Sequence, residues 1–216
     1  MSWTGVLFDL DGTLADTVDL ILKSYRYTME VHLGEAPPDA RFLETIGQPL
    51  PIQLADFARS EDERLAMLQT YVVYQRSGHD GMVQPFPGAI DVVNQLEDRG
   101  TRLGVVTSKG HRIARQTMEV CGLHDLFELV VCGDQVERGK PHPEPVLTAM
   151  AALGIHQDPT RVPFVGDSPH DLRAGKSAGT KTAAVGWGPI DHRVMRAESP
   201  DYFLDQMEDL LGLTPL

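Results

Sequence analysis

Two carboxylates two residues apart, Asp9 and Asp11, stand at the end of the apolar run Val6-Leu7-Phe8, and Gly12-Thr13 follow at once. A carboxylate held at a strand end is a workable nucleophile toward phosphorus and yields an acyl phosphate. Three more groups suit that chemistry, each following its own short Val- and Leu-rich run. They are Thr107-Ser108-Lys109, then Lys140 a few residues past Gly133-Asp134, then Asp167 with Asp171 four residues on. Asp9, Asp167 and a backbone carbonyl, assigned to Asp11, would give magnesium the oxygen ligands it prefers, offsetting repulsion between carboxylate and phosphoryl group. Strand alternation initially points Asp11 away from Asp9. The Gly12 turn can return its side chain to protonate the leaving oxygen and later activate water. Thr107, N–H groups beside it and Lys140 suit the non-bridging phosphate oxygens. Asp171, one turn into a helix, suits a supporting place that orients Lys140 or a metal-bound water.

Each of these residues also has a plainer reading. Asp9 and Asp11 make a pair of turn acids, Thr107 a helix N-cap, Lys140 a solvated lysine and Asp171 a charge complementing a helix dipole. Their joint position at the carboxyl ends of strands favours the chemical reading, because ligands of open parallel sheets bind in that crevice.

The elements that must place these groups come in two textures. Residues 5–9, Leu103–Thr107, Leu129–Cys132, Val162–Val165 and Thr182–Val185 read as short buried strands. They alternate with helical patterns over 88–99, Gly110–Cys121, Pro143–Leu153, His170–Ser177 and Leu204–Leu211. Alternation of this kind indicates an α/β fold, a Rossmann-like doubly wound parallel sheet covered on both faces. Between its first two strands lies an all-helical insert. Val18, Ile21, Leu22, Tyr25, Met29 and Leu33 repeat at spacings of three and four before Gly34 and Pro37-Pro38. Helical character returns over Ala40–Ile46, Ile52–Arg59 and Glu61–Arg76, and Ser77-Gly78-His79-Asp80-Gly81 closes the block. The division expected is a core of residues 1–15 and 84–216 and a helical cap of 16–83, hinged near Ala15–Asp19 and Gln84–Pro87.

With 31 acids against 19 bases in 216 residues, the formal net charge is −12. That argues against a nucleic-acid surface, which needs clustered Lys and Arg. No basic leader precedes a long apolar segment and no run approaches a membrane span, so a cytoplasmic protein without a membrane partner is expected. Cys121 and Cys132 lack metal-ligand spacing and read as reduced, half-buried thiols. With no exposed heptad or apolar seam, the expectation is a monomer or small homo-oligomer. Gly175-Lys176-Ser177 resembles the tail of a P-loop, but the glycine required five residues before Gly175 is His170.

Four motifs in order, Asp9-Leu10-Asp11-Gly12-Thr13, Thr107 after a strand, Lys140 before Pro141, and Gly166-Asp167-Ser168-Pro169-His170-Asp171, resemble those of the haloacid dehalogenase-like hydrolase superfamily across essentially the whole chain. The resemblance implies a magnesium cofactor, an aspartyl-phosphate intermediate and a small mobile cap. It makes Asp9 the nucleophile, Asp11 the general acid/base and a carbonyl ligand, Thr107 and Lys140 catalytic, Asp167 a metal ligand and Asp171 its support. Gly12, Ser108 and Lys109 become candidate phosphate contacts, with Gln48 and His79 candidate substrate contacts from the insert. The dehalogenases lack the second aspartate, so Asp11 favours phosphoryl chemistry. Phosphosugar mutases of this cap type carry a histidine in the first cap helix and an arginine in the cap loop, where this chain has Ile21 and Gly47-Gln48-Pro49. The runs Gly139–Pro145 and Ala178–Ala183 look like the bacterial pyrophosphatase and phosphoglycolate phosphatase branch. His79-Asp80 and Pro200-Asp201-Tyr202 lean toward the pyrophosphatase. The expected function is magnesium-dependent hydrolysis of a small phosphorylated metabolite or pyrophosphate. A phosphosugar mutase and a catalytically inactive phosphate-binding module are the alternatives.

Overall fold

In a computed structural model describing residues 3–214, six strands form one parallel sheet. They are β1 (Gly5–Phe8), β4 (Arg102–Val106), β5 (Leu129–Val131), β6 (Pro163–Gly166), β7 (Lys181–Val185) and β8 (Tyr202–Leu204), in the order β5-β4-β1-β6-β7-β8. The chain leaves β1 toward β4 on one side and β6 on the other. The carboxyl end of β1 is therefore the switch point of the sheet, where a crevice opens.

Side-chain alternation feeds two cores. Val6 and Phe8 of β1 pack on one face with Val92, Val93 and Leu96 of α5 (Ala89–Asp98) and with Ala114 and Met118 of α6 (His111–Val120). Leu7 packs on the other with Val146, Ala149 and Met150 of α7 (Glu144–Ala152) and Ala174 of α8 (Pro169–Ser177). Cys121 and Cys132 are free, and they are fully buried, not half-buried, because both face the first of these cores.

A two-stranded antiparallel pair, β2 (Ala15–Asp16) with β3 (Gln84–Pro85), joins the sheet to four helices with their own apolar cluster. α1 (Val18–Leu33) buries Leu20, Ile21, Ser24, Tyr25, Thr28 and Met29 on one face and ends at Gly34, whose N–H donates to Glu30 O. α2 (Asp39–Leu43) and α3 (Leu50–Ala55) are short. α4 (Glu61–Met82) starts at Ser60, which caps Glu63 N–H, and carries three acids in its first turn.

Two expectations need correcting. The helix expected to stop at Arg76 runs on to Met82, through Gly78 and Gly81. Gln75 and His79 continue the buried fourfold stripe of Met67 and Tyr71, and this packing outweighs the weak helix propensity of glycine. The final helix expected at Leu204–Leu211 is instead the edge strand β8 followed by a 3-10 helix at Met207–Gly212, with α9 (His192–Ala197) before it. Asp201 anchors β8 by accepting from Lys181 Nζ and from the Thr182 N–H and hydroxyl.

Candidate active site

Asp9 follows β1 directly and keeps the sheet's pattern for one more residue, its N–H donating to Val165 O at 2.8 Å. The next residues turn sharply: Gly12 N–H donates to Ala15 O at 2.9 Å, and Leu14 and Ala15 N–H both donate to Leu10 O. Gly12 is needed here for two reasons. Its φ is +79°, and a Cβ would lie 2.1 Å from Asp167 Oδ2. The turn is therefore pressed against the end of β6. Gly12 was expected to contact phosphate, but its N–H is already committed to Ala15, so its place is spacing Asp167 from the turn.

Asp167 follows β6, and Ser168 caps α8. Asp171 sits in the first turn of α8, where its Oδ2 accepts from Ser168 N–H at 3.1 Å and Ser168 Oγ at 2.5 Å. Its other oxygen, Oδ1, accepts from Lys140 Nζ at 2.5 Å, while the same ammonium donates to Asp9 Oδ1 at 2.8 Å and Val106 O at 3.3 Å. Lys140 thus reaches across from the loop after β5 and ties three strand ends together. Carboxylate oxygens of Asp9, Asp167 and Asp171 all lie within 4.8 Å of one another.

Charge does not balance in this cluster. Three carboxylates face one ammonium, so full ionisation would leave two negative charges in a place where all four side chains are buried. Burial pushes the Asp9 carboxyl up to about 7 against the pull of Lys140, with Asp171 and Asp11 adding to the rise. Burial also lifts Asp167 well above the usual carboxylate range, helped by Asp9 and Asp171. It works against the Lys140 ammonium too, but Asp171 and Asp9 outweigh it and hold that pKa above the ordinary lysine value. A divalent cation bound by oxygen would supply the two missing charges, so the residues present fit magnesium.

Asp11 lies apart from this cluster, half-buried at the mouth of the crevice. Its Oδ1 accepts from Thr17 Oγ at 2.6 Å and from Lys109 Nζ at 2.5 Å. Lys109 was expected to face phosphate, but the structure commits its ammonium to Asp11, with Thr117 Oγ a second partner at 3.3 Å. Thr107 is buried at the end of β4. Its N–H stays in the sheet, donating to Val131 O, and its hydroxyl accepts from Lys109 N–H. It is not the N-cap of α6, a position taken by Gly110. Ser108 Oγ donates to Gly47 O at 2.5 Å, so the rim of the core touches the loop between α2 and α3. Gly47 is another position where glycine is required, since at φ +92° its Cβ would lie 2.4 Å from Ser168 Oγ.

Between rim and insert lies a cavity of about 440 Å³. Asp9, Asp11, Thr107, Ser108, Lys109, Lys140 and Asp167 line its core side, and Gln48 lines the other, its amide 3.2 Å from His170 Nε2. Burial lowers the His170 pKa below the ordinary histidine value. His79, expected to touch substrate, does not line the cavity. It is fully buried between α4 and α6, its Nε2 2.9 Å from Thr117 Oγ and its Nδ1 3.0 Å from Asp80. The extension of α4 explains this correction, since it holds His79 on the helix face turned to α6. Sequence reasoning also passed over Arg76 and Arg112, which line the same cavity. Arg112 sits three residues after Lys109, close enough to a strand end to be noticed. Arg76 lies in a helix of ordinary charge pattern and gives no such signal.

The order of β1, β4, β5 and β6 with these strand-end residues is accompanied by a match to the family model for haloacid dehalogenase-like hydrolases over residues 6–185. The chain belongs to this family. Among similar proteins, the pyrophosphatase PpaX of Halalkalibacterium halodurans is 39% identical over 209 residues, covering 96% of this chain and 95% of that one. The PpaX pyrophosphatase of Anoxybacillus flavithermus is 36% identical over 214 residues, covering 99% and 97%. A solved structure described as a predicted phosphoglycolate phosphatase from Haemophilus somnus superposes with a TM-score of 0.88, covering 98% of each chain. At 23% identity that likeness concerns the fold. No helix among the described residues is long and apolar enough to cross a membrane.

Proposed function

We propose that this haloacid dehalogenase-like hydrolase is a magnesium-dependent phosphatase that acts on a small phosphorylated metabolite or pyrophosphate through an aspartyl phosphate at Asp9. The observation that carries the reading is the buried Asp9 carboxylate, at the switch point of the sheet, facing the cavity and held by Lys140. Its likeness over nearly full length to pyrophosphatases supports the same reaction class.

Asp9, Asp167 and the Asp11 carbonyl would hold the magnesium, with Asp171 behind them. When bound, the ion offsets the repulsion between carboxylates and a phosphoryl group. Asp9 attacks phosphorus, forming the acyl–phosphate bond as the bond from phosphorus to the leaving oxygen breaks. Asp11 relays a proton to that oxygen as the bond breaks. Its carboxylate then takes one from the water that attacks the same phosphorus, which frees phosphate and restores Asp9. Lys140 fixes the Asp9 oxygen it binds and, with Thr107, draws negative charge to this end of the cavity. Helices α1 to α4 act as a cap moving on the β2–β3 pair, and closure excludes bulk water while admitting the one that Asp11 activates. The hydrogen bond from Ser108 Oγ to Gly47 O joins the cap loop to the rim and supports this reading.

A mutase would need a proton acceptor from the first cap helix. Ile21, buried and lining the cavity there, offers none. The test is phosphate release across pyrophosphate, phosphoglycolate and sugar phosphates. Chelation should abolish release and magnesium restore it, while Asp9→Asn should abolish it at unchanged thermal stability. Metal-independent release, or an Asp9→Asn variant with most of its activity, would sink the proposal.

A further inference from the structure

The cap side of the cavity is unlike anything pyrophosphate requires. Leu68 and Val72 from α4, faced by Ile113 from α6 of the core, present apolar surface to a space of about 440 Å³, and Ile21, Phe42 and Tyr71 back it from the insert's own apolar cluster. Such a volume lies in the range of pockets for organic ligands, roughly 300–1,000 Å³. An inorganic diphosphate would leave these walls facing water.

The cations of the cavity make a second, independent observation. Lys109 is held by Asp11, and Lys140 by Asp9 and Asp171. Elsewhere the guanidinium groups are also occupied, as in Arg26 with Asp39, Arg59 with Glu63, Arg102 with Glu128 and Arg173 with Glu198. Arg76 and Arg112 are exposed and have neither an ion pair nor a hydrogen bond among the described residues, and both line this one cavity. They come from separate elements, α4 of the insert and α6 of the core. In a chain with a net charge of −12, two unpaired guanidiniums over an apolar chamber are placed to receive an anion from solvent.

We infer that the preferred substrate is the phosphate monoester of an organic acid: a phosphoryl group at Asp9, an apolar carbon body against Leu68, Val72 and Ile113, and a terminal carboxylate at Arg76 and Arg112. The inference rests on the phosphatase reading above and gives that site its substrate class. Pyrophosphate, which has no carbon body, and phosphoglycolate, whose body is a single methylene, are then minor substrates.

The decisive experiment measures kcat/KM with magnesium for straight-chain alkyl phosphates of about two to eight carbons and for their ω-carboxylate counterparts, phosphoglycolate being the shortest of the second series. Each methylene that enters the chamber should raise kcat/KM about fourfold until the chamber is full. At the best length, the carboxylate should add about tenfold over the methyl-terminated ester. Arg112→Gln and Arg76→Gln should each shrink that carboxylate-to-methyl ratio, and the double variant should bring it near unity. Thermal melting of both variants shows whether the fold is kept, and exposed positions are expected to keep it.

The inference is overturned if pyrophosphate or phosphoglycolate remains the best substrate of the panel. It is equally overturned if chain length has no effect, or if the carboxylate ratio survives in the double variant. Failure of the phosphatase reading looks different: no ester or anhydride releases phosphate, or Asp9→Asn releases it as fast as the unmodified chain.

Discussion

On the core side of the cavity, Asp9, Asp167, Asp171 and Lys140 are none of them more than 4% exposed, and Lys140 and Asp171 also tie into the backbone. On the insert side the walls are largely apolar, and the charged groups at the mouth, Arg76 of the insert and Arg112 of the core, stand at the surface without partners among the described residues. The first wall is mutually constrained: every group in it depends on another for charge or hydrogen bonding. The second is a set of independent contacts, each replaceable without leaving a buried charge behind. This difference assigns the two walls different work. A rigid charged rim suits chemistry that must be repeated without error, and a loosely coupled apolar wall suits the choice of leaving group.

Substitutions should therefore be expensive on one side and graded on the other. The largest stability effect is expected at Lys140. Lys140→Met would leave three buried carboxylates facing one another, costing about 3–5 kcal/mol in metal-free buffer. Urea unfolding with and without magnesium checks this, and added metal should recover a substantial part of the loss. An unchanged midpoint would mean that the cluster does not carry its charges as described. Gly12→Ala comes next. A methyl group at φ +79°, 2.1 Å from Asp167 Oδ2, costs about 1–2 kcal/mol in backbone strain and displaces the proposed metal ligand Asp167 as well. The magnesium concentration for half-maximal activity should rise more than KM for the substrate does. The smallest effect is expected where the two walls are joined. Thr117 links His79 of the insert to Lys109 of the rim, so Thr117→Val should cost about 1 kcal/mol and leave substrate preference unaltered. A change in preference there would show that the two walls are not separate.

Much of this was legible in the sequence, for reasons that can be stated. Each residue of the charged rim follows a short strand whose apolar residues alternate between two cores, as Leu7 and Phe8 do, so position along the chain alone placed it at the crevice. The extension of α4 was not legible. Gly78 and Gly81 argue locally against a helix, and only contact with α6 gives His79 its buried partner. β8 was hidden for a similar reason: Tyr202-Phe203-Leu204 becomes a strand because β7 lies beside it and Asp201 holds it there. Lys109 was placed correctly at the rim, but its pairing with Asp11 depends on how the Gly12 turn folds back. Arg76 and Arg112 lie 36 positions apart on two elements and share no pattern, so their meeting on one cavity is a property of the tertiary structure alone.

The central claim, that phosphoryl transfer passes through Asp9, is tested most directly by trapping the intermediate. Protein quenched with borohydride during turnover, then mapped by peptide mass spectrometry, should show residue 9 reduced to homoserine in proportion to the acyl phosphate present. The signal should vanish when magnesium is chelated. Steady release of phosphate with Asp9 unreduced, or reduction at a different carboxylate, would contradict the account.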